Sequence, residues 1–245
     1  MIHVIGIGVN GRESLGARAL GIISRAGLLA GGKRHLKEFP EFAGRTVEIK
    51  GRLDAAEQAI EKFLKSKGRG VAILATGDPL FFGIAGFIIK RFGREKVEVI
   101  PNVSSVQEAF ARVKEGWAGA KVVSAHGRGA DLSKLCVEAA SSGRLAVFTD
   151  PVNTPARIAK ALMEAGVTGG KAYVCEALGT EDERVTGGSL KNIAVRKRFH
   201  PLNIMLFVRD SVPPLAPRSF GIPDAEFVHS DGMITKEEIR VVTLS

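Results

Sequence analysis

Short all-apolar runs alternate along the chain with stretches whose apolar residues recur every three or four positions. Ile2–Ile7 is an apolar run broken only by His3 and a glycine, the pattern of a strand buried on both faces of a parallel sheet. Ser14–Ala26 then places Leu15, Ala19, Ile22 and Ile23 on one helical face. Val47–Ile49 predicts a short strand. Asp54 followed by Glu57 predicts a capping box ahead of a helix striped by Ile60, Phe63 and Leu64. Val71–Leu74 reads as a strand running into Gly77, Pro79–Phe92 as a helix, and Val97–Ile100 as a strand stopped by Pro101. Ser104–Val113 predicts a helix that buries Val106, Ala109, Phe110 and Val113.

After Gly116-Trp-Ala-Gly119 the alternation restarts. Val122-Val123 and Leu145–Phe148 predict strands with a helix over Asp131–Ala140 between them. Thr154 and Pro155 then suit the cap and first position of a helix that Gly166 ends. Ala172–Cys175, Glu183–Thr186 and Leu202–Val208 read as strands with Gly187-Gly188 as a turn, and the lack of long helices between them predicts antiparallel pairing. The fold class expected is α/β in two units. A first domain over 1–115 has a mainly parallel sheet, and a second over 116–210 has a mixed sheet. The tail over 211–245 is rich in proline and turn residues, with a weak helical pattern at Thr235–Arg240.

Composition narrows the class. With 45% hydrophobic and 25% charged residues the 245-residue chain reads as globular, and no apolar run reaches the roughly 20 residues of a membrane span. Met1 leads directly into strand sequence without a leader-like segment, so the expected location is cytoplasmic, with no membrane partner. Cys136 and Cys175 sit far apart in apolar segments and are expected to be free thiols. The histidines have no metal spacing, so no metal site is expected. The formal charge of +9 is uneven: residues 1–115 hold 19 Lys+Arg against 12 Asp+Glu, or +7. That excess points to an anionic partner, or to a solvated basic surface.

Two glycine turns are candidates for chemistry. Gly6-Ile-Gly8-Val-Asn-Gly11 is a GxGxxG between a strand and a helix, as a dinucleotide fold requires. The acidic residue that would hold a ribose at the end of the second strand is missing, however, because Leu28-Leu-Ala-Gly-Gly-Lys33 is followed by its first acid only at Glu38. That disfavours a nicotinamide enzyme and the common Rossmann-type methyltransferase alike. Ala75-Thr-Gly-Asp-Pro-Leu-Phe-Phe-Gly83 has two readings. Asp78 and Pro79 suit a helix cap, and the carboxyl end of a strand in an open α/β sheet is also where ligands bind. His126, in Ser124-Ala-His126, is the only histidine that follows a strand beside a glycine.

Taken together, Ile5-Gly-Ile-Gly8, Ala75–Gly83 and Pro101-Asn-Val-Ser-Ser105 resemble, in order and spacing, the tetrapyrrole (corrin/porphyrin) methylase family. Gly31–Leu36, Ser104–Phe110, Val123–Arg128 and Glu176–Arg184 resemble its branch that methylates C-5 of precorrin-7 or cobalt-precorrin-7 in cobalamin biosynthesis. The resemblance implies a two-domain fold with S-adenosyl-L-methionine in the cleft between the domains, and a homodimer. It implies cofactor contacts from Val9, Asp78, Phe81, Ser104 and Ser105 in the first domain, and from Thr149, Ala177, Leu178 and Asn203 in the second. Arg12, Lys33, Arg34 and Arg128 are candidates for the substrate carboxylates, and His126 for a catalytic base. The tail from Gly221 to Arg240 resembles the connector that in fused homologues leads to a C-15 methyltransferase and decarboxylase. With the chain ending at Ser245, that partner is expected to be a separate or fused subunit, and this chain to perform only the C-5 step.

Three other readings stand beside it: a ribosomal RNA ribose methylase of the same fold, a methylase of the diphthamide precursor protein, and a basic nucleic-acid-binding module. One Trp and one Tyr leave few rings for stacking bases, so no nucleic-acid partner is expected.

Overall fold

The computed structural model describes residues 1–50, 54–66, 70–126, 131–210 and 239, and residues Met1–Asp210 form one compact unit. Two sheets organise it. The first contains β1 (Ile2–Ile7), β2 (Leu28–Gly31), β3 (Arg45–Glu48), β4 (Val71–Thr76) and β5 (Val97–Ile100) in the order β3-β2-β4-β1-β5, with every pairing parallel. The second contains β6 (Lys121–Ser124), β7 (Arg144–Phe148), β8 (Lys171–Glu176), β9 (Arg184–Gly188) and β10 (Asn203–Val208) in the order β6-β7-β10-β8-β9. Only the β6–β7 pair is parallel there, which makes the second sheet mixed as its short connections require.

Alternation along single strands sets the layers. In β1, Ile5 and Ile7 face α1 (Ala17–Arg25), packing with Leu15, Ala19, Ile23 and Phe39. Ile2 and Val4 face the other way, onto Ile60 of α3 (Asp54–Lys65) and Ala85 and Ile88 of α4 (Ala85–Phe92). In the second sheet Leu145, Val147, Met205 and Phe207 pack beneath α6 (Leu132–Ser141), α7 (Pro155–Glu164) and α8 (Leu190–Ala194). Its opposite face is covered by α5 (Ser105–Val113), whose buried Val106, Ala109 and Phe110 meet Ala146, Cys175, Ile204 and Leu206. The helix that follows the last strand of the first sheet therefore completes the core of the second.

Helix ends follow side-chain chemistry. Ser104 accepts from the Gln107 N–H in a reciprocal capping box at α5, Asp131 caps α6, and Thr154 caps α7 with Pro155 at its first turn. The buried Arg209 guanidinium donates to the Ala139, Ala140 and Ser142 carbonyls, satisfying the C-terminal end of α6. Cys136 and Cys175 are free thiols.

Several elements depart from the sequence expectation. The first helix starts at Ala17, because Gly11–Ser14 form a 3₁₀ turn in which Ser14 Oγ donates to the Gly11 carbonyl and accepts from the Gly8 N–H. The helix expected over Pro79–Phe92 begins only at Ala85. Phe82 has φ of 55°, which no α-helical residue adopts, and Gly83 lies so close to Pro79 that an added Cβ would sit 2.4 Å from the Pro79 carbonyl oxygen. Gly187-Gly188 close β9 in place of a turn; Gly187 lies under Tyr173, where a Cβ would come within 2.9 Å of the ring. The cap expected of Asp54 lies outside the described side chains, and the tail helix lies outside the described residues apart from Ile239.

The first sheet is closed at its carboxyl edge by glycine. A Cβ on Gly6 would lie 1.9 Å from the Gly77 carbonyl oxygen, and Gly77 has φ of 61°. Asn102 stitches the same point, donating to the Gly6 and Ser14 carbonyls. Gly6→Ala is expected to destabilise the fold by about 3 kcal/mol through backbone displacement, measured as a lowered urea midpoint. A midpoint equal to that of the parent would show that the contact is dispensable.

Candidate active site

The carboxyl ends of β1 and β4 lie where the strand order of a parallel sheet opens a ligand crevice, and the loops leaving them meet loops of the second sheet. Two adjoining compartments result. The wider, of 440 Å³, is lined by Gly32 and His35 after β2, by Thr76, Asp78, Phe81 and Phe82 after β4, by Ser104 and Ser105, and by His126 and Phe148 of the second sheet. The narrower, of 310 Å³, is lined by Val9, Arg34, Thr149, Ala177, Leu178 and Asn203 with the wall of Cys175 and Ile204. Thr76, Ser105, His126 and Phe148 line both and mark their junction.

Asp78 is not the cap of a continuing helix. Its carboxylate accepts from the Leu80 N–H at 2.8 Å, and its carbonyl accepts from the Phe81 N–H at 3.0 Å. The tight turn projects Phe81 and Phe82 toward Phe148, with ring centroids 6.3 and 5.6 Å away. In the narrower compartment Thr149 Oγ1 donates to Asn203 Oδ1 at 2.7 Å, and Asn203 Nδ2 donates to the His200 carbonyl at 2.7 Å. Ala177 has φ of 48° and its N–H donates to the Leu202 carbonyl. This wall rests on the fully buried Glu176, which accepts from Arg184 at 2.8 and 3.0 Å and from the His200 N–H at 2.7 Å, and forms an ion pair with Arg196 at 3.2 Å. Burial alone would raise the Glu176 pKa; the Arg184 and His200 bonds and the Arg196 charge hold it below the usual carboxylate range. Burial pushes the Cys175 thiol up to about 12, so it serves as an apolar wall.

All nine residues expected to hold a cofactor therefore line one compartment or the other, together with His126 and Arg34. Arg34 donates to Thr76 Oγ1 at 3.3 Å. Arg12 is not brought to the cavity: its guanidinium pairs with Glu41 at 2.5 Å and lies over the Phe39 ring. Lys33 is exposed at the start of α2 (Lys33–Leu36) and lines neither compartment. Arg128 lies outside the described residues. Among the described residues no group of three His, Cys, Asp or Glu side chains could hold a metal, and no helix is long and apolar enough to cross a membrane.

Sequence reasoning assigned no role to His35, Thr76, Phe82 or Phe148. Their shared signal is position, each at or just beyond the carboxyl end of a strand. His35 is the most perturbed of them. Its Nε2 lies 3.1 Å from Thr76 Oγ1, and its buried Nδ1 has no hydrogen-bond partner among the described residues. Burial, then the neighbouring Arg34 charge, lower its pKa from 6.5 to about 4 against the weaker pull of Glu38.

The fold binds fewer protons at His35 than the unfolded chain does between those two values. Stability is therefore expected to fall by roughly 3 kcal/mol as pH drops from about 6.5 to about 4. Glu176, held below 4.5, adds its own loss only at lower pH. Urea midpoints compared at pH 7 and pH 4.5 should show this slope in the parent and a flatter one in His35→Asn; equal slopes would exclude His35 as its source.

Comparison with known proteins places this geometry. The family model for Tetrapyrrole (Corrin/Porphyrin) Methylases matches residues 1–194. The chain is 34% identical over 251 residues to a precorrin-6Y C(5,15)-methyltransferase (decarboxylating) of Sinorhizobium sp, covering 100% of this chain and 58% of that protein. It thus spans less than two thirds of that relative's length. It is also 34% identical over 185 residues to a cobalt-precorrin-7 C(5)-methyltransferase of Salmonella typhimurium, covering 76% of this chain and 89% of that one. A crystal structure of a cobalamin-biosynthesis precorrin-6Y methylase from Archaeoglobus fulgidus superposes with a TM-score of 0.62 at 22% identity, covering 86% of this chain and 98% of that one.

Proposed function

Since the chain belongs to the tetrapyrrole (corrin/porphyrin) methylase family, we propose that it is an S-adenosyl-L-methionine-dependent methyltransferase acting at C-5 of precorrin-7 or cobalt-precorrin-7 in cobalamin biosynthesis. The observation that carries this reading is its 34% identity along 89% of a relative named for that reaction. The cleft supports it chemically, because it joins a pocket holding the Thr149–Asn203 polar pair to a wider aromatic one.

The donor set of the narrower compartment fits the proposed cofactor. Thr149 and Asn203 offer a polar pair, while Leu178 and Ile204 offer apolar walls for an adenosyl group. We assign Val9, Thr149, Ala177, Leu178 and Asn203 to hold it there, with Ser105 at the junction and Asp78, Phe81 and Ser104 approaching it from the wider compartment. When bound, it supplies an activated methyl group on a sulfonium centre. The protein then has to align donor and acceptor and exclude water, which accounts for a site built from glycine turns and capped loops. Among the described residues Arg34, lining the narrower compartment, is the best placed of the proposed substrate cations to meet a carboxylate.

Methylation of a ring carbon releases a proton. We assign its uptake to His126, at Nε2, since Nδ1 is turned to Ser124 Oγ at 3.4 Å. The C-15 methylation and decarboxylation named for the longer relative would fall to a separate or fused subunit. A homodimer and a cytoplasmic location complete the reading.

Purified chain with S-adenosyl-L-methionine is expected to convert precorrin-7 or its cobalt form to the C-5-methylated product without loss of carbon dioxide. His126→Ala should lower kcat by about 100-fold while leaving S-adenosylhomocysteine affinity intact. Turnover equal to that of the parent would remove His126 from the reaction, and absence of methyl transfer by the parent would reject the function.

A further inference from the structure

Phe82 combines features that the fold alone does not explain. Its φ of 55° is strained for a bulky residue, and the neighbouring turn enforces it: Gly83 wedges against Pro79, and the Ala85 N–H donates to the Pro79 carbonyl at 2.9 Å. Phe82 is 60% exposed, so the strain is not offset by burying the ring, and strain of this kind gathers at ligand sites. Its ring lines the wider compartment, edge-on to Phe81 at 5.1 Å and to Phe148 at 5.6 Å. Phe148 comes from the end of β7, so the aromatic cluster bridges the two sheets, and His126 stands 6.4 Å from the same Phe148 ring. The Thr149–Asn203 polar pair lies in the other compartment.

Resting on the proposed function, we infer that Phe82, backed by Phe148, seats one conjugated face of the tetrapyrrole and is a specificity-determining residue for it. A corrin precursor is a broad conjugated ring with carboxylates at its edge. Its face requires a ring surface with few polar groups to strip of water, and its edge requires cations. The wider compartment offers Phe82 and Phe148 for the face, and Arg34 stands at the adjoining rim for the edge. The left-handed turn at Phe82 holds the ring across the cavity, where a helical continuation from Pro79 would have carried it along the helix surface. Phe81 lines the same compartment beside it.

The test uses Phe82→Ala, Phe82→Gly and Phe82→Tyr in the full chain. Glycine takes the positive φ without strain, so Phe82→Gly keeps the turn while removing the ring. Three readings are compared: the absorption shift of precorrin-7 titrated without cofactor, calorimetric affinity for S-adenosylhomocysteine, and KM against kcat. The alanine and glycine variants should bind the macrocycle about tenfold more weakly or worse, with a matching rise in KM. Their affinity for S-adenosylhomocysteine should stay within about twofold, and the tyrosine variant should retain macrocycle binding. Unchanged macrocycle affinity in the alanine and glycine variants would overturn the inference. A parallel loss of S-adenosylhomocysteine affinity would assign the ring to the adenosyl side and overturn it equally. If the parent binds precorrin-7 but does not methylate it, the proposed function fails while the seat stands; if it does not bind precorrin-7, both fail.

Discussion

The molecule depends on a contact between two backbones. A side chain on Gly6 would strike the Gly77 carbonyl and one on Gly77 would strike Ser104, and Asn102 bonds across the gap to the Gly6 and Ser14 carbonyls. Much of what lines the cavity from the first sheet leaves this point, while Gly32, Arg34 and His35 follow β2. Val9 follows from one strand, the Asp78–Phe82 turn from the other, and Ser104 packs directly on Gly77. A close glycine contact fixes loop origins more tightly than side-chain packing would, because backbone has no rotamers through which to relax.

The second sheet contributes its residues by another route. Glu176 is buried with enough charged and amide donors to remain ionised, and it holds the His200 backbone and Arg184 in register. That register places Asn203 opposite Glu176 and lets Ala177 turn with positive φ into the cavity wall. A buried carboxylate is costly unless it is bonded and paired, and here three hydrogen bonds and the Arg196 charge compensate it. The two sheets thus contribute to one cleft in different ways: glycine turns and the Phe81–Phe82 pair from the first, and Phe148 with a hydrogen-bonding backbone and amide from the second.

Strands and caps were legible in the sequence because their signals are local. Apolar runs such as Val71–Leu74 and caps such as Thr154 need only a few neighbouring residues to form. The Asp78–Gly83 turn was misread for the same reason. Asp-Pro is a sound helix start by itself, and only the packing of Gly83 on Pro79 and the reversal at Phe82 prevent it. The lining residues from Val9 to Asn203 were legible through family motifs and not through periodicity. His35 and Phe148 were not, since the burial of one and the ring contacts of the other arise from elements remote in sequence. Arg12 shows the converse. Its charge was visible, but Glu41 and Phe39, which take it away from the cavity, become its neighbours only after folding.

The placement of α5 on the second sheet has a mechanical consequence. Asn102 is bonded into the first sheet, while Ser104 caps a helix whose apolar face belongs to the core of the second. Only Val103 lies between these anchors. A hinge needs residues free to change their dihedral angles, and here even the one intervening residue is tied, its N–H donating to Asn102 Oδ1 at 2.8 Å. Along this segment the cleft is therefore held like a clasp with one link, so its width is set by the covalent geometry at Val103 more than by the contacts lining it.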